Sequence, residues 1–401
     1  MASESHSGLT PQDPAYRRAL IAALCAGLAS FNALYATQAV LPALGDYFHA
    51  SPTTTALTVS ATTGALALAI VPLGALSERF GRRKVLCISA LAATLVSFLL
   101  PFSPSIHGLI LLRFLQGIAV AGVPAIIMAY LAEEIHRQYL PKVMGLYISG
   151  TTLGGLVGRL IPGIAVDFTT WQWSLAASAF FAFSMAVLMA LLLPRQRYFT
   201  AKPLSFSGEL TAMLSHWTNP MMVRLFLIPF LTMGSFVSLY NYLGFRLMGS
   251  FGLPASLAAA TFVLYLSGTW SSARTGAFMT RFGRGRVLVG SVALMLLGAL
   301  IMLAPNLASA LSGALLFTAM FFVAHSACST WVAAAAQEHR SEASSSYVLM
   351  YYLGSSLMGW VSGWFFERGW AVLIAWLCAL LLSATVLAAV QARAVRSAHS
   401  A

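Results

Sequence analysis

Charge is scarce in this 401-residue chain. Asp, Glu, Lys and Arg together make up 8% of it, against roughly 25% in a soluble domain. Lysine occurs three times, as Lys84, Lys142 and Lys202, and never after a glycine, so the phosphate-cradling G-x-x-x-x-G-K-[ST] loop of a self-contained ATP-driven pump is absent. The four cysteines, Cys25, Cys87, Cys328 and Cys378, lie inside apolar runs without C-x-x-C or C-x-x-H spacing. That excludes a disulfide framework and a zinc site and leaves them as small core residues. No paired acids, no nucleophile beside a base and no metal-ligand cluster stand out, so the chain reads as a non-enzyme needing no cofactor and no metal.

What is present is apolar: 59% of residues are hydrophobic and the mean hydropathy is +0.81. A water-soluble protein of this length has nowhere to bury that much apolar surface. Runs long enough for a bilayer, about 20 residues each, fall at 19–40, 55–76, 85–102, 109–131, 143–166, 173–193, 225–247, 257–279, 287–304, 311–336, 347–366 and 371–390. We number them spans 1 to 12. Arg17 and Arg18 before span 1 imitate a signal peptide, but that run is too long for a signal core and its sequence recurs later in the chain.

The formal net charge of +12 would suggest nucleic acid in a soluble protein. Here it has a side. With the N-terminus cytoplasmic, the inside loops and tails hold 18 of the 23 Lys and Arg, whereas the outside loops hold Arg368 with the acids Asp46, Asp167 and Glu367. This asymmetry predicts both termini inside and no nucleic-acid partner.

The two halves repeat each other at a nearly constant offset. Ser30 to Tyr35 in span 1 matches Ser235 to Tyr240 in span 7, 205 residues on. GALSERFGRRKVL from Gly74 matches GAFMTRFGRGRVL from Gly276, 202 residues on, with eight identities in thirteen. Tyr147, Gly150, Leu153, Gly155 and Val157 in span 5 match Tyr351, Gly354, Leu357, Gly359 and Val361 in span 11. Six spans per copy make these parallel repeats about an axis along the membrane normal. The expected organisation is a tail (1–18), a six-helix bundle (19–193), a linker (194–222) whose 204–217 part forms a surface helix, a second bundle (223–390) and a tail (391–401). Two such bundles enclose a cavity at their interface, the geometry of alternating access.

The loop Gly74-Ala75-Leu76-Ser77-Glu78-Arg79-Phe80-Gly81-Arg82-Arg83-Lys84 is similar to the signature G-x-L-a-D-r-x-G-r-[KR]-[KR] of the major facilitator superfamily, with Glu78 at the acidic position. Over essentially the whole chain the sequence resembles that family. The resemblance implies an all-α membrane protein of twelve helices in two pseudo-symmetric bundles, nearest in style to the twelve-span bacterial drug and metabolite exporters. It also implies residence in the bacterial inner membrane, in contact with lipid and as a monomer. In that reading Gly74 lets span 2 approach the other half, and Glu78 faces the N-terminus of span 11 near Ser344 to Ser346 when the cytoplasmic side closes. Arg79, Gly81, Arg82 and Arg83 complete this gating loop, and Thr280 leaves the second copy without an acid. Span 5 carries Gly150-x-x-x-Gly154-Gly155-x-x-Gly158-Arg159, resembling the antiporter motif G-x-x-x-G-P-x-x-G-G except at Gly155 and Arg159. Its glycine ridge predicts close packing between the halves.

All eleven acids lie in tails, loops or span ends, while Arg113 and Arg159 lie within spans and His325 near the middle of span 10. Arginine at mid-bilayer costs about 2.5–3.5 kcal/mol on insertion scales, so each needs a reason: a brace on helix carbonyls, or a contact with substrate. Arg113-x-x-Gln116-Gly117 resembles the superfamily's R-x-x-Q-G element. His325, with Ser329 one turn away, and the span-end acids Glu133 and Glu134 are the candidates for proton coupling. The expected cavity lining adds Asn32, Tyr35 and Gln38 of span 1, Tyr240 and Asn241 of span 7, and Tyr351 and Ser355 of span 11. Three functions fit these residues: an exporter exchanging a small organic molecule (drug, sugar or metabolite) for protons, an importer or uniporter of a small anion or sugar, and a non-transporting sensor on a transporter scaffold.

Overall fold

The computed structural model describes residues 8–201 and 206–400. The first seven residues of the expected tail, Lys202, the start of the expected surface helix and residue 401 lie outside these. The described chain is a succession of helices, and nine stretches are long and apolar enough to cross a bilayer. They are Pro14–Phe48 (span 1), Pro52–Phe80 (span 2), Arg82–Phe102 (span 3), Ile106–Glu134 (span 4), Trp171–Leu192 (span 6), Pro220–Phe251 (span 7), Arg284–Ile301 (span 9), Leu307–Ala335 (span 10) and the helix beginning at Trp370 (span 12). Three further crossings, Leu140–Ala165 (span 5), 255–282 (span 8) and Arg340–Phe366 (span 11), complete twelve. These three carry the arginines, glycines and serines that lower their hydropathy. Twelve crossings put both chain ends on one face, here called the terminal face; the opposite one is the far face.

Helix starts follow local chemistry. The hydroxyls of Ser51 and Ser105 accept from the amides of Thr54 (3.3 Å) and Gly108 (3.1 Å), and the Asn306 amide oxygen accepts from Ser309 (2.8 Å). Proline decides two interruptions that hydropathy alone does not show. Span 1 stops at Tyr35, makes a 3-10 turn over Gln38–Val40, and resumes as Leu41–Phe48, eight residues past its expected end. Pro42 lacks the amide that a continuous helix needs there. Span 4, expected unbroken, divides into Ile106–Ala121 and Pro124–Glu134 for the same reason. Span 7 begins at Pro220, inside the stretch expected to be linker, and Phe206–Ser215 is the surface helix.

The duplication is visible in the backbone. Spans 2 and 8 both end on a glycine with positive φ, Gly81 at 99° and Gly283 at 83°, and an arginine starts the next helix each time. Only glycine takes this conformation without strain.

The halves meet near the far face. Span 2 lies along span 11, with the Ser356 hydroxyl donating to the Ser60 carbonyl at 2.7 Å, and span 5 lies along span 8. The largest apolar cluster joins Leu34, Leu41 and Val59 to Phe236, Tyr240 and Phe262 across this contact. Toward the terminal face the space beside Gly74, Gly145 and Gly276 is empty within 4 Å of where a Cβ would stand. Among the described residues, hydrogen bonds joining the two halves, from Gln38 to Asn241, Thr53 to Glu367, Ser356 to Ser60, and Ala255 and Ser256 to Asp167, lie toward the far face. The cleft between the halves is therefore shut there and opens toward the terminal face.

Two carboxylates at equivalent places fasten the shut end. Asp167, after span 5, accepts from the amides of Ala255 (3.0 Å) and Ser256 (2.9 Å), the first turn of span 8. Glu367, after span 11, accepts from the Thr53 amide (3.1 Å), the first turn of span 2. Both complement a positively polarised helix start, and both are exposed, so salt screens them. Burial alone would push the Glu367 pKa up. The neighbouring hydroxyls of Thr53 and Ser51, the Thr53 amide and the charge of Arg368 outweigh it and hold the carboxyl below its ordinary 4.5. The ionised form thus favours closure. Its contribution is complete above about pH 4.5 and is lost as pH falls through the lowered value. Combining Asp167→Asn with Glu367→Gln is expected to widen spin-label distances across the far face at pH 7. In the wild type, acid is expected to widen them only below pH 4.5. Widening already complete at pH 5 in the wild type would assign control of closure to another group.

Candidate functional site

At the shut end of the cleft one cation is enclosed by rings. Arg159 of span 5 is 2% exposed. Its guanidinium carbon lies 3.9 Å from the ring centre of Tyr35, 4.8 Å from Phe262 and 4.9 Å from Tyr265. Nε donates to Gln38 Oε1 at 2.7 Å and Nη1 to the Gly155 carbonyl one turn back, also at 2.7 Å. Gln38 passes the contact across the interface, its Nε2 donating to Asn241 Oδ1 at 2.7 Å. The 3-10 turn after the break in span 1 presents Gln38 to both halves. Tyr240 stacks on Phe262 (5.2 Å between centres) and shares a 2.6 Å hydrogen bond with Thr318. Phe262, Tyr265 and Thr318 were not expected from the sequence. The F-x-x-Y spacing in span 8 was the available signal.

Arg113 and Gln116 lie elsewhere. Arg113 is 0% exposed and donates to the carbonyls of Thr58 (2.8 Å), Ala33 (2.7 Å) and Leu34 and to Gln116 Oε1. Gln116 in turn donates to the Ala93 carbonyl (3.1 Å) and Ser97 Oγ (2.6 Å). The last carbonyls of a helix have no partner within it, and those of span 1 at its break are what Arg113 caps. The cavity-lining expectation for this pair is corrected: no part of Arg113 is left for a solute in this conformation. Asn32 is corrected likewise. It is buried, and its side chain meets the Ser178 hydroxyl of span 6 at 2.9 Å.

His325 does not bond Ser329, whose hydroxyl returns to the Ser326 carbonyl at 3.2 Å. Its Nδ1 instead meets the Tyr347 hydroxyl of span 11 at 2.8 Å, and its ring lies 4.9 Å from Tyr351. Ser355, on the same span as both tyrosines, is fully buried with its hydroxyl unpartnered among the described residues.

The sequence pattern of the Major Facilitator Superfamily matches residues 20–275. Inner membrane transport protein YnfM of Escherichia coli is 38% identical over 373 residues, 92% of this chain and 89% of that protein. The uncharacterized MFS-type transporter YybF of Bacillus subtilis is 35% identical over 385 residues, 96% of this chain and 95% of that one. In fold, the chain is similar to the crystal structure of a bacterial homolog to the human lysosomal transporter Spinster. The TM-score is 0.77 at 16% identity, covering 95% of this chain and 98% of that one. The chain belongs to the major facilitator superfamily.

The superfamily's signature loop sits at the terminal face. Arg82 bridges two acids, donating to Glu133 Oε1 at 2.6 Å and to Glu78 Oε1 at 3.3 Å. Arg83 donates to the carbonyls of Leu193 (3.0 Å) and Ala190 (3.3 Å), capping span 6, and Arg79 lies over Phe80 at 5.7 Å. Glu134 is buried and accepts from the amides of Arg197 (2.8 Å) and Tyr198 (3.2 Å). Both candidate acids are thus engaged at a span end. Gly74 has nothing within 4 Å in this open arrangement. The ridge of Gly150, Gly154 and Gly158 packs within the first half, not between the halves. Cβ atoms there would stand 2.5 Å from the Leu24 carbonyl, 2.7 Å from that of Gly27 and 2.6 Å from Asn32 Cα, all on span 1. The small residues permit close approach, but the approach is to the neighbouring helix of the same bundle.

Proposed function

We propose that this superfamily transporter works by alternating access and exports small organic molecules in exchange for protons, with both termini on the cytoplasmic side of a bacterial inner membrane. The observation carrying this reading is the ring-lined Arg159 site at the closed end of a cleft that opens toward the arginine-rich terminal face. The charge bias supports the orientation, so the site is reached from the cytoplasm. Export is further supported by partial matches to drug-resistance proteins. The chloramphenicol resistance protein CraA of Acinetobacter baumannii is 34% identical, over 27% of this chain and 27% of that one. One feature favours the second reading, an importer or uniporter of a small anion: Arg159 has no acidic partner among the described residues.

For coupling, the cleft offers His325. Its Nδ1 is held by Tyr347, and its Nε2 has no hydrogen-bond partner among the described residues. The test is accumulation of a panel of drugs, sugars and organic acids in proteoliposomes of known orientation, with and without an imposed pH gradient. Movement out of the cytoplasmic-facing compartment, driven by the gradient, is expected for at least one compound. His325→Gln is expected to leave exchange intact and abolish the response to the gradient. A variant that still responds like the wild type removes His325 from coupling. A wild type that ignores the gradient overturns proton exchange and leaves the uniporter.

A further inference from the structure

An ionised side chain held in a membrane interior is matched by an opposite charge or by many hydrogen bonds, because lipid supplies neither. Arg113 has the second. Arg159 has neither in full: Nε and Nη1 each have one acceptor, Nη2 has none among the described residues, and no described carboxylate pairs with it. Around it, the hydroxyls of Tyr35, Tyr265 and Tyr351 also lack protein partners among the described residues, although these rings are buried or half-buried. The free donors therefore converge at one place, beside a strip of rings. Tyr265 lies 5.2 Å from Phe236, which stacks on Phe321 at 4.0 Å.

We infer that the free edge of Arg159 and these tyrosine hydroxyls receive the carboxylate of a small organic anion, whose apolar or aromatic body lies in the cleft beside Tyr265 and the half-buried Tyr351. This rests on the reading of the cleft as a transport site and names its substrate class. A guanidinium fork matches a carboxylate in shape and charge. A cationic solute would instead face Arg159 without any compensating acid, so like-charge repulsion and desolvation both act against it. The rings supply face and edge contacts to an apolar body.

The test is binding to the purified full-length protein in nanodiscs, read by naphthalene fluorescence, with three probes of one size: naphthoate, naphthylmethanol and naphthylmethylammonium. Naphthoate is expected to bind at least about tenfold more tightly than either of the others, as a charge-assisted hydrogen bond implies. Arg159→Gln is expected to erase that preference, and Tyr265→Phe to weaken naphthoate more than naphthylmethanol. Equal or tighter binding of the ammonium probe, binding of none of the three, or an unchanged preference in a folded Arg159→Gln overturns the inference. Should Arg159→Gln not fold, the wild-type preference and Tyr265→Phe decide. Binding is read without transport, so the two readings fail separately. Naphthoate that binds but is not moved counts against export, while a transported cation or neutral molecule with no naphthoate binding counts against the anion site.

Discussion

Arg113→Leu is expected to destabilise the protein severely without altering the affinity of a solute for the Arg159 site. Replacing the guanidinium removes the donors for the Ala33 and Leu34 carbonyls, which end the first segment of span 1. A buried acceptor left unsatisfied costs about 1–3 kcal/mol, so the pair amounts to roughly 2–6 kcal/mol. Thr58 loses less, because its carbonyl also accepts from the Thr62 hydroxyl at 3.0 Å. Set against a typical total of about 5–15 kcal/mol, that loss is expected to show as a lowered thermal midpoint and a reduced monodisperse fraction in detergent. Arg113→Lys is expected to fall in between, since one ammonium cannot span acceptors on spans 1, 2 and 4. Normal stability with weakened solute binding would return Arg113 to the cavity wall.

The second large effect is expected at Gly154. A Cβ there would stand 2.7 Å from the Gly27 carbonyl oxygen and from Leu28 Cα, closer than real Cβ contacts come, and both obstacles are backbone. Spans 1 and 5 would have to separate along the face that holds Gln38 and Arg159 together. Gly154→Ala is expected to cost about 1–3 kcal/mol, the usual range for overpacking, and Gly154→Leu to prevent assembly. Gly145→Ala in the same helix meets nothing within 4 Å and is expected to be neutral or to stabilise by up to about 1 kcal/mol. Equal thermal midpoints for Gly154→Ala and Gly145→Ala would show that the ridge is not a packing surface.

Much of the architecture could be read from composition. Span number follows from apolar length, and the duplication from matched glycines, aromatics and arginines at about 200-residue offsets. The link between Gln38 and Asn241 was within reach, because both lie just past the matched segments Ser30 to Tyr35 and Ser235 to Tyr240, on spans expected to line one cavity. What failed did so for one physical reason. Helical spacing tells which residues share a face, not which neighbour that face meets. Arg113 and Asn32 are polar groups within spans, which suggests the cavity, yet in this structure their hydrogen bonds go to spans of their own half. The glycine ridge announced a close approach, but the helix it approaches is span 1. His325 was paired with Ser329 by local spacing, while its partner Tyr347 is 22 residues away on another span. Phe262 and Tyr265 went unnoticed because aromatic residues in membrane helices are common, and only the 3-10 turn Thr261–Leu264 aims them at Arg159.

The three crossings absent from the nine strongly apolar ones are spans 5, 8 and 11, and these carry Arg159, two of its three cage rings (Phe262 and Tyr265) and Tyr351. What suits them to face a polar solute makes them poor solutes of lipid. Arg159, six residues before the end of span 5, bears an insertion penalty that at the bilayer centre reaches about 2.5–3.5 kcal/mol. Each weak span is adjacent in sequence to a strongly apolar one: span 6 after 5, span 7 before 8, span 12 after 11. The expected unit of insertion is therefore a helical hairpin, in which an apolar partner carries a polar one. Biogenesis of the site is in this sense delayed. Arg159 waits for span 6 to anchor its helix, and its own cage is complete only when span 8 has been made, about 100 residues later.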